Sequence, residues 1–409
     1  MKKYKIIIGI TLLLISSLVS AQDELNSYLK LAAENNPGLK ARFSEYMAAL
    51  EIAPQVKALP DPQVAFAYFI MPVETRMGPQ QAKISASQMF PWFGTLKAKE
   101  NIAIQSAKAK YEQFEEAKSR LFNEVRSNYF NIYFNKKAIQ ITRENIDILH
   151  TFRKLANIKF ESGLVSAVDE YRIEMEIGDL ENQLYLLIDT QNYLESVFKN
   201  LLNIDQLDIN IPETLWVDDF PLTKENILDS IGNNNHQLLA LSLQQEALIY
   251  RKELAEKQGK PDFSIGLDYI FVGTDNDKFA GTDAFVFPKI GITIPLYRKK
   301  YKAMVNEVVH LQTAKEFEKS DKENILVNIF EKVWKDYLDA DRRIDLYTSQ
   351  LELASKSIKL IETDYATGNK NFEEILRMER KLLTYSLKLE KSRSDKQAAI
   401  SFINYLMGN

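Results

Sequence analysis

The side chains able to do chemistry are few and scattered in this chain of 409 residues. Its three histidines, His150, His236 and His310, lie far apart, and there is no cysteine. An imidazole cluster, a thiolate metal site, a disulfide and a lipidated N-terminal cysteine are therefore not expected. No phosphate-cradling glycine loop, nucleophile triad or metal-ligand spacing occurs. Met71, Met77 and Met89 are soft donors, but without regular spacing they read as apolar filler rather than metal contacts. The expectation is a chain with no catalytic residue, no cofactor and no metal site. The net charge of -4 becomes -7 once Lys2, Lys3 and Lys5 of a leader are removed. No basic surplus is left to neutralise phosphates, which argues against nucleic acid as a partner. With 45% hydrophobic and 26% charged residues the chain should fold. What it can offer is charge and apolar surface, so the elements that display them carry the function.

Residues 1–21 join those lysines to an apolar run, Ile6 to Val19, and end in Ser20-Ala21. That is the form of a signal peptide, with Gln22 as the expected mature N-terminus, and the run is short for a membrane span. The first repeat is expected over 22–205. Asp23 to Lys57 is helical with a break at Asn36-Pro37, and Pro60-Asp61-Pro62 stops it. A strand hairpin follows at 63–70 and 82–90, with Met71 to Gln81 as its loop. In the first strand Val64, Phe66, Tyr68 and Ile70 alternate with Gln63, Ala65 and Ala67. The stretch 95–162 has neither Gly nor Pro, and apolar residues recur at spacings of three and four: Ile104, Ala107, Tyr111, Phe114, then Leu121, Val125, Tyr129 and Ile132. At about 1.5 Å per residue it makes a helix of roughly 100 Å. Gly163 closes it and a return helix occupies 164–201.

After a linker at 206–225 the order repeats over 226–409. Asn235 stands 199 residues after Asn36, and Pro261 stands 199 after Pro62. A hairpin is expected at 262–271 and 284–295, with Val286, Ile290, Ile292 and Ile294 alternating with Lys289, Gly291 and Thr293. A long helix spans 296–367, Gly368 closes it, and a return helix spans 371–406. Duplication on this scale outweighs any local motif.

Four strands with one apolar face would expose both sheet edges and that face to water. Closure into a barrel shared between chains, its apolar face in lipid, removes both problems. The strands suit a bilayer crossing of about 9–11 tilted residues. The long helices carry charge throughout and must project into an aqueous compartment. The competing architecture is a soluble periplasmic coiled-coil scaffold bearing a small sheet.

This plan resembles the TolC family of outer-membrane efflux proteins. The residues that carry the resemblance are the duplicated order, Leu59-Pro60-Asp61-Pro62, Gly163-Leu164-Val165 and Gly368. Within the family, Gly78-Pro79-Gln80 and Ser87 to Gly94 are similar to the heavy-metal branch, the CusC/CzcC type. The resemblance implies a mainly α fold with a membrane β-barrel portion. Long helical hairpins form a periplasmic α-barrel, with four strands per protomer, in a homotrimer. It implies the outer membrane of a Gram-negative bacterium, and a passive duct for metal ions or small toxic compounds. An inner-membrane pump of the resistance-nodulation-division type would deliver them through a periplasmic adaptor. The outlet of a type I polypeptide secretion system is the alternative within the family. By the same resemblance Gly163, Leu164, Val165 and Gly368 are the helix-turn tips for adaptor docking. Asp169, Lys370 and Glu374 match gate residues, with Arg377 where a second gate carboxylate is expected. Asp169 and Glu374 also read as first-turn acids favoured by the helix dipole. Trp92 and Tyr297, just past the strands, are candidates for an interface girdle in outer-membrane lipid, or for packing against neighbouring helices.

Overall fold

The computed structural model describes residues 23–161, 167–216, 220–274, 281–366 and 372–409. The signal-peptide segment and the turn residues Gly163, Leu164, Val165, Gly368 and Lys370 lie outside them. Helix α1 covers 23–35, followed by α2 (Pro37–Leu50) and α3 (Ile52–Lys57). Strands β1 (Gln63–Thr75) and β2 (Gly78–Phe90) lead to α4 (Thr95–Glu161) and α5 (Ala167–Leu202). The second series is α6 (Lys224–Asn234), α7 (His236–Gln258), β3 (Asp262–Val272), β4 (Ala284–Thr293), α8 (Arg298–Ala366) and α9 (Phe372–Leu406). With no Gly or Pro inside them, α4 and α8 run unbroken for 67 and 69 residues.

The four strands form one antiparallel sheet in the order β1-β2-β3-β4. Pairing between β1 and β2 continues to Thr75↔Gly78, so the expected loop at Met71 to Gln81 is a two-residue turn at the end of longer strands. Pro72 does not interrupt β1 because it falls in a register shift on an edge strand, where a missing N–H leaves no ladder bond unmade. Gly78 has φ 121°, and a Cβ there would meet the Gly273 carbonyl oxygen at 2.1 Å, so this turn admits glycine alone. A second shift, between Gly266 and Asp268, pairs Val286 with Asp268. It turns Val286 to the polar face, against the simple alternation read from sequence, while Phe285 pairs with Tyr269 and joins the apolar one.

The chain divides into two compact units. One comprises the residues up to Ala41, Glu115–Asn235 and Asn324–Asn409; the other comprises Arg42–Phe114 and His236–Glu323. Each draws on both sequence repeats, so the repeats interleave. In the first unit Tyr28 packs edge-on against Phe198 at 5.2 Å and lies 6.1 Å from Tyr129. Burial of each such ring contributes about 1.5–3 kcal/mol. Lys396, 1% exposed, holds Asp341 at 2.8 Å, which keeps its buried charge paired.

Asn36 and Asn235 have one job at equivalent points of the repeats. Asn36 Nδ2 donates to the Leu201 carbonyl at 3.0 Å, and Asn235 Nδ2 to the Leu406 carbonyl at 2.8 Å. Each supplies a partner to a carbonyl at the end of its return helix, α5 or α9, that the helix itself leaves unpaired. Asn36 Oδ1 also accepts from the Leu39 N–H at 3.1 Å, which starts α2 after the break.

Candidate functional site at the helix turns and on the sheet

The ends of α4 and α8 and the starts of α5 and α9 meet in a core of Leu149, Phe152, Ile173, Ile358, Tyr365 and Phe372, with their apolar neighbours. Apolar residues at helical spacing fill it, and the charged residues between them form its outer layer. Lys159, in the last turn of α4, donates to the Tyr365 carbonyl at 2.7 Å, and its Nζ lies 3.7 Å from the centre of the Tyr365 ring. A cation placed there caps the end of α8 and gains from the ring face. Burial, with the Asp169 charge as a lesser cause, raises the Tyr365 hydroxyl above its ordinary pKa.

Asp169 and Glu374 both stand in the first turns of their helices. Asp169 lies 3.6 Å from Arg172 of its own helix, and Arg172 lies 3.4 Å from Glu373 of α9. One turn further on, Arg380 Nε and Nη2 both reach Glu176 Oε2, at 2.8 and 2.7 Å. Two ion pairs thus tie the return helices together close to the turns. Arg377 is exposed. Sequence reasoning missed Arg172, Glu373, Glu176 and Arg380. The available signal was opposite charge at spacings of four and seven on two helices that start together. Such half-exposed pairs contribute about 0–1 kcal/mol each.

Glu379 lies deeper, 5% exposed among the apolar residues of α9. Its Oε2 accepts from Asn145 Nδ2 at 3.3 Å. Burial, and then the Glu362 charge, push its carboxyl up to about 7, with the Asn145 bond working the other way. It is a carboxyl that titrates near neutrality at the helix-turn end.

Along the outer sides of two helices apolar residues stay uncovered by their own chain. On α8, Leu346, Leu353 and Leu360 recur every seven residues and are 49%, 55% and 69% exposed. On α5, Val168, Tyr171, Met175, Leu186 and Tyr193 are at least half exposed. Spacing by sevens is a helix-packing seam without its partner in this chain.

The sheet, in the second unit, has two unlike faces. Val64, Phe66, Tyr68, Ile265, Phe285, Ile290 and Ile292 are exposed on one of them. Ser85, Ser87, Ser264, Asp268, Lys289, Gly291 and Thr293 occupy the other. On this polar face Asp268 is buried, 2.8 Å from Lys83 Nζ and 3.2 Å from Lys289 Nζ. Below the strands Trp92 is half-buried, stacked on Phe263 at 5.9 Å, with its backbone N–H on Asp262 at 2.9 Å. Phe93 and Tyr297 are 78% and 79% exposed. Of the two sequence candidates Tyr297 is exposed, whereas Trp92 packs inward and its neighbour Phe93 is the exposed ring. No described helix is long and apolar enough to cross a membrane, and no metal-binding group of side chains occurs among the described residues.

The family model described as outer membrane efflux protein matches residues 28–185. No curated protein sequence matches the chain. Among solved structures the outer-membrane channel OprN has a TM-score of 0.81 at 14% identity, over 96% of this chain and 92% of that one. The outer membrane protein VceC of Vibrio cholerae has 0.78 at 14% identity, over 96% and 98%. CusC has 0.78 at 15% identity, over 94% and 92%. Sequence matches the outer membrane efflux protein family over residues 28–185, and over nearly the whole chain the fold is that of TolC-family channels, so the resemblance read from the motifs stands without its heavy-metal branch being singled out.

Proposed function

We propose that three copies of this chain form a passive export duct through the outer membrane. The observation that carries the reading is the sheet: four strands with both edges open, one exposed apolar face and one polar face. The β1 edge of one copy pairs with the β4 edge of the next, and three copies close a barrel that leaves no edge. Lipid covers the apolar face and water fills the polar side. The seams on α5 and α8 then cover each other between copies, so the helices line a periplasmic tunnel.

The tunnel ends at the helix turns, where Gly163, Leu164, Val165 and Gly368 are the docking tips for a periplasmic adaptor. Asp169, Glu374 and Arg377 stand beside the opening, Lys370 is assigned to the gate from the sequence alone, and the pairs Arg172–Glu373 and Glu176–Arg380 hold the return helices together there. A lock made of weak bridges is one that a docking partner can open. The driving force comes from an inner-membrane pump of the resistance-nodulation-division type, and the cargo is metal ions or small toxic compounds.

Membrane fractionation and cross-linking test this reading. The mature chain should be extracted from outer membranes only by detergent, run as a trimer, and conduct ions in planar bilayers. Recovery as a soluble monomer without detergent would overturn it in favour of a periplasmic scaffold.

A further inference from the structure

The cargo class can be narrowed from charges on the sheet that neither the helix-turn end nor the family plan uses. Midway along the strands the polar face carries three charged side chains among the described residues, Lys83 on β2, Asp268 on β3 and Lys289 on β4, apart from Asp262 at the base of β3. They form one cluster. Asp268 lies across from Ser85 in the ladder and is reached by Lys83 at 2.8 Å and by Lys289 at 3.2 Å. One carboxylate answers two ammonium groups, so this cluster keeps one positive charge in surplus at its own height on the sheet. That surplus is accessible: the Lys289 side chain is 52% exposed and Lys83 is 29% exposed, against 9% for Asp268. Around the cluster the face carries Ser85, Ser87, Ser264, Gly266, Gly291 and Val286, all uncharged; the next charge on it is Asp262 at the base of β3, opposite Thr293, where its carboxylate accepts from the Trp92 N–H.

We infer that the barrel is the anion-favouring stretch of the duct, and that small organic anions pass it more readily than free metal cations. The inference rests on the trimeric barrel proposed above. Threefold repetition converts a surplus on one sheet into a ring of ammonium groups at one height in the lumen. Rings of Lys or Arg select anions in pores, because a partly dehydrated ion gains most from opposite charge held at fixed positions. The Asp268 carboxylate fixes those positions, since it draws both lysines to one point of the wall.

The test is the reversal potential of the purified channel in planar bilayers under a tenfold KCl gradient. Lys289→Gln keeps the Lys83–Asp268 pair and hence the sheet. It should at least halve the chloride-to-potassium permeability ratio. Asp268→Asn frees both lysines and should raise that ratio. Citrate added on the barrel side should block the wild-type channel and block Lys289→Gln at least threefold more weakly. A conducting trimer whose permeability ratio and citrate block are the same in all three proteins overturns this inference and leaves the duct reading intact. A chain that neither trimerises nor conducts overturns the duct reading, and this inference with it.

Discussion

Replacing Glu379 with Gln isolates the pH response of the helix-turn end. The carboxyl is 5% exposed, and its pKa is raised from 4.5 to about 7, first by burial and then by the Glu362 charge. A raised pKa means that the folded state holds the proton more tightly than the open one. The stabilisation is therefore fully present below the ordinary glutamate value and is lost as pH rises through about 7. At about 1.4 kcal/mol per pKa unit the loss amounts to about 3 kcal/mol of local opening free energy. That corresponds to roughly two orders of magnitude in the open population. Gln has the shape of the neutral acid and keeps an acceptor for Asn145, but it cannot ionise. The assay is amide hydrogen exchange along α9 and the end of α4 in the detergent-solubilised protein, at pH 5 and pH 8, corrected for the intrinsic pH dependence of exchange. Wild type should lose protection between these values, and Glu379→Gln should hold it. Parallel pH profiles for the two proteins would refute the reasoning, because the buried carboxyl would then not be the group that titrates.

Three further outcomes are expected. Ile290→Arg places a charge on the exposed apolar face of the sheet and should cost about 2–4 kcal/mol of insertion, read as lost folding into lipid vesicles. Thr293→Arg on the opposite face should insert normally, and equal behaviour of the two would mean that the faces are assigned wrongly. Asn36→Ala and Asn235→Ala should each destabilise by about 1 kcal/mol in denaturant titrations, since each removes a partner from a return-helix carbonyl; unchanged midpoints would show that water replaces both amides. Arg172→Ala and Arg380→Ala break the pairs between the return helices and should raise the open probability of single channels by up to roughly fivefold each, the most that exposed pairs of about 0–1 kcal/mol allow. If neither raises it, the bridges do not hold the tunnel closed.

Much of the architecture was legible in the sequence because its signals are periodic and long. The absence of Gly and Pro from 95–162 and from 296–367 leaves a helix little reason to stop, and α4 and α8 fill most of those ranges. Alternation in β1 and β3 showed which residues share a sheet face, since the side-chain period of a strand is two. The offset of 199 between Asn36 and Asn235 is matched by a shared role, as each amide reaches the end of its return helix. Periodicity failed where the register slips. Pro72 and Gly78 looked like a loop, but an edge strand tolerates the first and a tight turn needs the second. Val286 changes face because a bulge adds a residue that no alternation rule counts.

What only the tertiary structure decided was the pairing of charges. Lys83, Asp268 and Lys289 are strewn over more than two hundred residues, and only the β2-β3-β4 ladder brings them within 3.2 Å. Arg172 meets Glu373, and Glu379 is buried beside Asn145, because helices from different repeats pack together. Sequence fixes which side chains repeat along one element, since covalent geometry sets that period. Which elements lie side by side depends on how apolar faces from distant segments cover one another, and the charges near this chain's helix turns and on its sheet acquire their meaning from that packing.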